Sequence, residues 1–255
     1  NTVNGEATIE ADGWTGNNAG SVTLTKGTWS GNNSDAGSVT LNGGEWTGNN
    51  TGESATVIGT NGTWTGDNSG TITVNGITWE GNNLEGVTLS SGTWSGNNSG
   101  IAIVEGGKWT GDNSATTNLL NGEWTGVNSG TATIEGGKWT GTNAATTNLL
   151  AGEWTGVNTG TAIIKGGAWS NDNAGIVTFN GGSWTGNNAV KGKATIEADG
   201  WSGNNAGSVT LNDGTWNGNN SGTVNMFNGT WGGNNSDAGI VTLNGGAWSG
   251  DNEGT

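Results

Sequence analysis

The 255-residue sequence contains no cysteine, proline, histidine, arginine or tyrosine. The lack of cysteine excludes disulfides and thiol redox chemistry. Nucleophilic triads and most acid–base catalysis need histidine or cysteine, so we expect the chain not to be an enzyme and to have no cofactor or catalytic site. The carboxylates are scattered singly and the nonapeptide pattern of calcium β-rolls is missing, so we expect no metal site. No apolar run reaches the length of a membrane span, which predicts that the chain does not insert into a membrane.

Positive charge is scarce as well. Six lysines stand against 21 carboxylates, and the resulting net charge of −15 argues against nucleic acid or anionic membranes as partners. The apolar fraction of 29% and the 54 glycines resemble a low-complexity chain. Sixteen tryptophans contradict simple disorder, because disordered segments are poor in aromatic residues.

The tryptophans mark a tandem repeat. Most of them are 15 residues apart, and the remaining spacings are 17 or 18. With the tryptophan as position 1, the repeat is W-T-G-N-N-x-G-x-V-T-L-x-x-G-x. Position 5 is asparagine in all sixteen copies, and position 11 is apolar in every copy that reaches it. Such a short, strict period is the signature of a repeat architecture.

Alternating polar and apolar residues at positions 8–12 predict a half-buried strand, as in Ser21-Val22-Thr23-Leu24-Thr25. The polar–Trp–polar triplet at positions 15, 1 and 2 predicts a second short strand, and the Gly-Asn-Asn and Gly-Gly segments predict turns. We therefore predict an all-β fold: a single β-solenoid of about sixteen 15-residue coils, with two short strands per coil and inward tryptophan and asparagine ladders. Coils would stack about 4.8 Å apart.

The tryptophans are expected to face inward. If they faced outward, position 15 would face the core, and this position holds Lys108, Glu123, Lys138 and Glu153 in four consecutive coils. Burying those charges would cost several kcal/mol each, whereas outside they form a surface charge ladder. The predicted structural core consists of Trp14, Trp29, Trp46, Trp64, Trp79, Trp94, Trp109, Trp124, Trp139, Trp154, Trp169, Trp184, Trp201, Trp216, Trp231 and Trp248.

The constant asparagine at position 5 predicts an inward ladder in which each amide bonds the turn backbone and the next amide. The alternative is a simple Asx-turn without stacking. Position 3 is glycine except at Asn171, which predicts a positive φ there. The predicted ladder consists of Asn18, Asn33, Asn50, Asn68, Asn83, Asn98, Asn113, Asn128, Asn143, Asn158, Asn173, Asn188, Asn205, Asn220, Asn235 and Asn252.

A longer repeat is superimposed on the short one, since residues 7–24 recur at 194–211 with one change. This predicts one continuous solenoid over residues 1–255, with a superblock over 1–187, a second beginning at about 188, and a longer parent array. The extra residues at 34–35, 53–62 and 190–191 are expected to bulge at turns and to leave the stacked strands in register.

The tandem "LNGGxWTGNN" units, free of cysteine and rich in Gly, Asn and Thr, resemble bacterial extracellular β-solenoids. These include autotransporter passengers and filamentous-haemagglutinin-type adhesins, and more loosely the stacked repeats of curli-like fibres. The strict fifteen-residue period departs from autotransporter passengers. The resemblance implies an extracellular or cell-surface location and a structural or adhesive role, and it assigns no individual binding residue.

Two functions are compatible with these patterns. The first is a structural protein that forms an extracellular filament or cell-surface stalk, with the chain itself as its partner through end-to-end stacking or a longer chain. The second is an adhesin or ice-binding module that uses one solenoid face. Only Thr71/Thr73 and Thr131/Thr133 provide the Thr-x-Thr pair of ice-binding solenoids, and no outward column is uniform, which favours the filament.

Overall fold

The computed structural model describes residues 2–34, 37–236 and 238–254, and these contain β-strands and no helix. The fold is an all-β parallel β-solenoid of about sixteen coils, as the sequence predicts. Its residues group into two compact units, Asn1–Gly126 (unit 1) and Val127–Thr255 (unit 2). The single continuous domain over residues 1–255 stays a prediction.

Each coil contributes one long strand, which covers positions 8–11 of the repeat in most coils. In unit 1 these strands are Glu6–Ile9, Ser21–Leu24, Ser38–Leu41, Ala55–Gly59, Thr71–Asn75, Gly86–Leu89, Ile101–Val104 and Thr116–Leu119. In unit 2 they are Thr131–Ile134, Thr146–Leu149, Thr161–Ile164, Ile176–Phe179, Lys193–Ile196, Ser208–Leu211, Thr223–Met226 and Ile240–Leu243.

A second series, the tryptophan strands, ends at position 1. In unit 1 these strands are Thr28–Trp29, Glu45–Trp46, Thr63–Trp64, Ile77–Trp79, Gly92–Trp94, Lys108–Trp109 and Glu123–Trp124. In unit 2 they are Lys138–Trp139, Glu153–Trp154, Ala168–Trp169, Ser183–Trp184, Thr215–Trp216, Thr230–Trp231 and Ala247–Trp248. Thr2–Val3 and Asn17–Asn18 form a separate pair in unit 1.

Successive long strands pair in parallel, with equivalent repeat positions opposite each other. Val87 lies opposite Ala102 and Leu89 opposite Val104, for example. Because side chains alternate along a strand, positions 9 and 11 of each coil point to the same side. That side is the core, where Val87, Leu89 and Val104 are at most 3% exposed.

Glycine at position 14 makes the turn between the two strands of a coil. Gly107 and Gly167, with φ of 73° and 71°, represent a positive φ that recurs at this position through both units. An L side chain is disfavoured in this region, so glycine is the residue that fits. The Gly-Gly segment therefore forms the turn that the sequence predicts.

The strands that flank two of the three predicted insertions keep their register. Across the insertion at 34–35, Val22 still lies opposite Val39; Ser34 is described, and Asp35 lies outside the described residues. Across the turn at 190–191, Val177 still lies opposite Ala194. The alternation of the strands that flank both insertions is unchanged.

The prediction of constant register is wrong for the coil that begins at Trp46. On the strand of the preceding coil, Val57 lies opposite Val39, which is at position 9 of its repeat. On the strand of the following coil, it lies opposite Val74, which is at position 11. The pairing therefore shifts by two residues across this coil. Because the side-chain period is two, an even shift keeps the apolar set inside, and Ala55 and Val57 are 2% and 0% exposed.

This shift places Gly59 opposite Leu41. A Cβ on Gly59 would lie 1.8 Å from the Leu41 carbonyl oxygen, so a side chain is excluded there. Ile77 of the next coil fills the neighbouring space, with its Cγ2 3.0 Å from that Cβ position and only 2% of its surface exposed. Ile77 stands where most coils have the position-14 glycine, and Gly76 carries the positive φ instead.

Candidate functional site

The tryptophan side chains form an inner stack in each unit. Neighbouring ring centroids are 4.6–5.1 Å apart in unit 1. In unit 2 they are 4.6–4.9 Å apart. Fourteen of the tryptophans are at most 2% exposed, and Trp14 and Trp248 are half-buried. The inward tryptophan ladder is confirmed.

Most of the indoles also have a polar partner. Trp79 Nε1 donates to the carbonyl oxygen of Gly66 at 2.9 Å, and Trp169 Nε1 donates to that of Gly156 at 3.0 Å. In the bonds of this kind, the acceptor is position 3 of the preceding coil. A buried indole N–H is expected to find such a partner, so the stack leaves no donor unpaired at these positions.

The predicted positive φ at position 3 is wrong. The structure gives positive φ at the position-14 glycines and no positive φ at Asn171. Position 3 is glycine because of close approach: a Cβ on Gly81 would lie 1.8 Å from the Gly66 carbonyl oxygen and 2.9 Å from Trp79 Nε1. At the exception, Asn171 Nδ2 donates to the Thr155 carbonyl oxygen at 2.8 Å.

The inner asparagine ladder is confirmed. Asn83 Nδ2 donates to Asn98 Oδ1 at 2.7 Å, and Asn158 Nδ2 donates to Asn173 Oδ1 at 2.7 Å. Each amide also bonds its own turn, as when Asn98 Oδ1 accepts the N–H of Gly100 at 3.3 Å. The Asx-turn and the stacking therefore coexist. The ladder asparagines from Asn18 to Asn235 are at most 1% exposed, and Asn252 is exposed.

Position 4 forms a second, exposed ladder that the sequence analysis missed. Asn17 Oδ1 accepts the backbone N–H of Asn32 at 3.0 Å, and Asp67 Oδ1 accepts that of Asn82 at 2.8 Å. The available signal was the asparagine or aspartate at position 4 in thirteen of sixteen copies. Since the bond to the next backbone N–H uses an acceptor oxygen, aspartate can replace asparagine here, and Asn82 Nδ2 also donates to Asp67 Oδ1 at 3.2 Å. The carboxylates at this position thus have a structural role.

The surface charge ladder lies on the outer side of the tryptophan strands. Lys108 Nζ is 3.8 Å from Glu123 Oε2 in unit 1, and Lys138 Nζ is 3.9 Å from Glu153 Oε1 in unit 2. The four side chains are 43–52% exposed. Ion pairs this exposed contribute about 0–1 kcal/mol, so they are a minor part of the stability.

Other kinds of site are not evident in the described ranges. They contain no cluster of three or more His, Cys, Asp or Glu side chains that could hold a metal ion. No helix long and apolar enough to cross a membrane occurs in them. No protein-family model, curated protein or solved structure matches the chain.

Proposed function

We propose that this chain is a structural protein whose stacked coils form an extracellular filament or cell-surface stalk. The observation that supports it most is the constancy of the contacts between coils. Within each unit, one coil meets the next through the same tryptophan stack, the same amide ladder and the same parallel strands. An array of this kind lengthens by adding coils, without any new type of contact.

The contacts also have a direction. Asn83 Nδ2 donates to the following coil, at Asn98, whereas Trp94 Nε1 donates to the preceding coil, at Gly81. The two faces of a coil are therefore chemically different, and each is complementary to the other. Head-to-tail contacts that do not close into a ring produce open filaments, which supports self-association along the solenoid axis.

The largest side chains are used inside the coils. The tryptophans and the position-5 asparagines are the most regular residues of the repeat, and both sets are in the core. A mechanical element needs only its core positions fixed, whereas a receptor-binding face needs a fixed outward column as well. The resemblance to bacterial surface β-solenoids supports an extracellular or cell-surface location.

Electron microscopy of the purified 255-residue chain over a concentration series tests this proposal. We expect long filaments one coil wide whose diffraction shows an axial repeat of about 4.8 Å. Their fragments should seed further growth. If the chain stays as discrete monomeric particles at high concentration and high ionic strength, the filament proposal is wrong.

A binding module is the second candidate. Thr71 and Thr73 lie on the outer side of one long strand, and Thr131 and Thr133 lie on the outer side of another, as an ice-binding face requires. Ile101, Ile176 and Lys193 stand at the position equivalent to Thr71 in other long strands and interrupt the row of threonines. Thermal hysteresis and ice-crystal faceting by the soluble chain would favour this function, and freezing indistinguishable from that of buffer would count against it.

A further inference from the structure

Gly86 has no backbone reason to be a glycine. It lies in the strand Gly86–Leu89 without a positive φ, and the atoms nearest to a Cβ there would be Oγ1, Cγ2 and Cα of Thr71, at 3.3, 3.5 and 3.7 Å. By contrast, a Cβ on Gly81 would lie 1.8 Å from a backbone oxygen. Glycine inside a strand weakens it and often marks a place where a ligand or another chain approaches closely.

The missing side chain leaves a depression on the outer face of the sheet. It measures about 210 Å³ and is lined mainly by Thr71, Thr88, Ile101 and Ile103. Ile101 occupies the same column on the next strand, directly opposite Gly86 in the pairing, and is 58% exposed. A protruding aliphatic side chain therefore stands one strand away, about 4.8 Å, from a depression of similar chemistry.

The strand positions of the surrounding face carry no charge, and the nearest carboxylates, Glu85 and Glu105, lie just outside the two ends of the strands. From Ser21–Leu24 to Thr116–Leu119, the outward residues of the long strands are threonine, serine, isoleucine, asparagine or glycine. The sequence of unit 1 nevertheless contains twelve carboxylates and two lysines. Two copies of so acidic a chain repel each other, and the repulsion is weakest over a face whose strand positions are uncharged and whose carboxylates lie only at its edges.

We propose that this face binds a second copy of the chain, with the two solenoid axes antiparallel. The two-fold axis would run along the strand direction, between the strands of Gly86 and Ile101. That operation places each Ile101 over the depression at the partner's Gly86, and the reciprocal contact forms at the same time. A two-fold contact requires such self-complementarity, and an unrelated partner would not require the protrusion and the depression to lie side by side on one chain.

The pairing is expected to be weak. Four strands of unit 1, from Thr71–Asn75 to Thr116–Leu119, overlap in this arrangement and cover about 250 Å² per copy, by strand spacing and length. Stable interfaces bury about 1,200–2,000 Å² in total, so this contact belongs to the transient class. Glu85 lies at the rim of the depression, and screening of its charge by salt should strengthen the pairing.

Chemical cross-linking can detect a weak pair, and an introduced cysteine would be the only thiol because the chain has no cysteine of its own. Thr88→Cys places one thiol on this face, and the Cα atoms of the two copies would be about 11 Å apart across facing sheets. A short bis-maleimide should link Thr88→Cys chains at least tenfold faster than Thr93→Cys chains. Thr93 is exposed on a tryptophan strand of the same unit and serves as the matched control.

Variants in the Thr88→Cys background test the register. Gly86→Ile fills the depression and Ile101→Gly removes the protrusion, so each should lower the linking rate at least tenfold. The double variant exchanges the two features and should restore the rate to within about threefold. Both residues lie on outward strand positions, and unchanged tryptophan fluorescence would establish that each variant folds.

Equal linking rates at Thr88→Cys and Thr93→Cys would overturn the proposal. The proposal would also be overturned if the single variants leave the linking rate unchanged, which would indicate nonspecific association. It would be overturned too if the double variant does not restore the rate. The proposal is independent of the proposed filament. Copies stacked end to end do not bring two Thr88 residues together, so lateral linking can fail while filaments form, or succeed while they do not.

Discussion

Asn173 offers the sharpest test of the inner amide ladder. Its Nδ2 donates to Asn188 Oδ1 at 2.8 Å and to the carbonyl oxygens of Gly175 and Lys193 at 3.1 Å and 3.2 Å. Its Oδ1 accepts from Asn158 Nδ2 at 2.7 Å. Asn173→Ala removes all of these bonds and leaves the buried Asn188 Oδ1 without this donor. We expect a loss of about 3–5 kcal/mol, from about 1 kcal/mol net per bond plus the unsatisfied acceptor.

Hydrogen exchange of the amides in the coils around Asn173 measures this loss locally, because repeat arrays do not unfold in two states. Protection should fall by roughly 100- to 4,000-fold, at 1.4 kcal/mol per factor of ten. The exposed Asn180 is the control, and Asn180→Ala should change stability by no more than about 0.5 kcal/mol. Equal effects of the two substitutions would refute the ladder as a source of stability.

Three further substitutions test other parts of the core and surface. Trp169→Ala removes a buried indole stacked at 4.7 Å and 4.8 Å on its neighbours, and local exchange should report a loss of about 3–5 kcal/mol. Gly186→Ala would put a Cβ 1.7 Å from a backbone oxygen, so its thermal unfolding midpoint should drop, whereas that of Gly86→Ala should hardly change. Glu153→Gln breaks an exposed ion pair and should cost about 0–1 kcal/mol in chemical denaturation; a larger loss would contradict the weak role assigned to it.

Much of the coil can be predicted from the sequence, because the opposite orientation of the inward residues would be unfavourable or would leave their constancy unexplained. Lys108 and Glu123 at position 15 could not be buried cheaply, and this placed the neighbouring tryptophans inside. No special backbone conformation at position 5 accounts for the constant asparagine, so its side chain was inferred to have the structural role. Both inferences depend on comparing the sixteen repeats of the chain, in which some positions vary and others are constant.

The errors arise where the cause lies in a neighbouring coil. The glycine at position 3 was assigned to its own φ, but its cause is a backbone oxygen of the preceding coil, as at Gly81 and Gly66. The register shift at Val57 has no signal in the sequence, because a two-residue shift leaves the alternation of polar and apolar residues intact. The outer ladder through Asn17 and Asn32 was hidden by its tolerance of aspartate.

Acrylamide quenching of the tryptophan fluorescence tests most directly whether the tryptophans form the core. Fourteen of the sixteen indoles are at most 2% exposed, and Trp14 and Trp248 are half-buried. The native chain should therefore emit at shorter wavelength than the unfolded chain, and acrylamide should quench only a small fraction of its intensity. If acrylamide instead quenches most of the emission as readily in the native chain as in the denatured chain, the tryptophans face solvent and the stacked core is wrong.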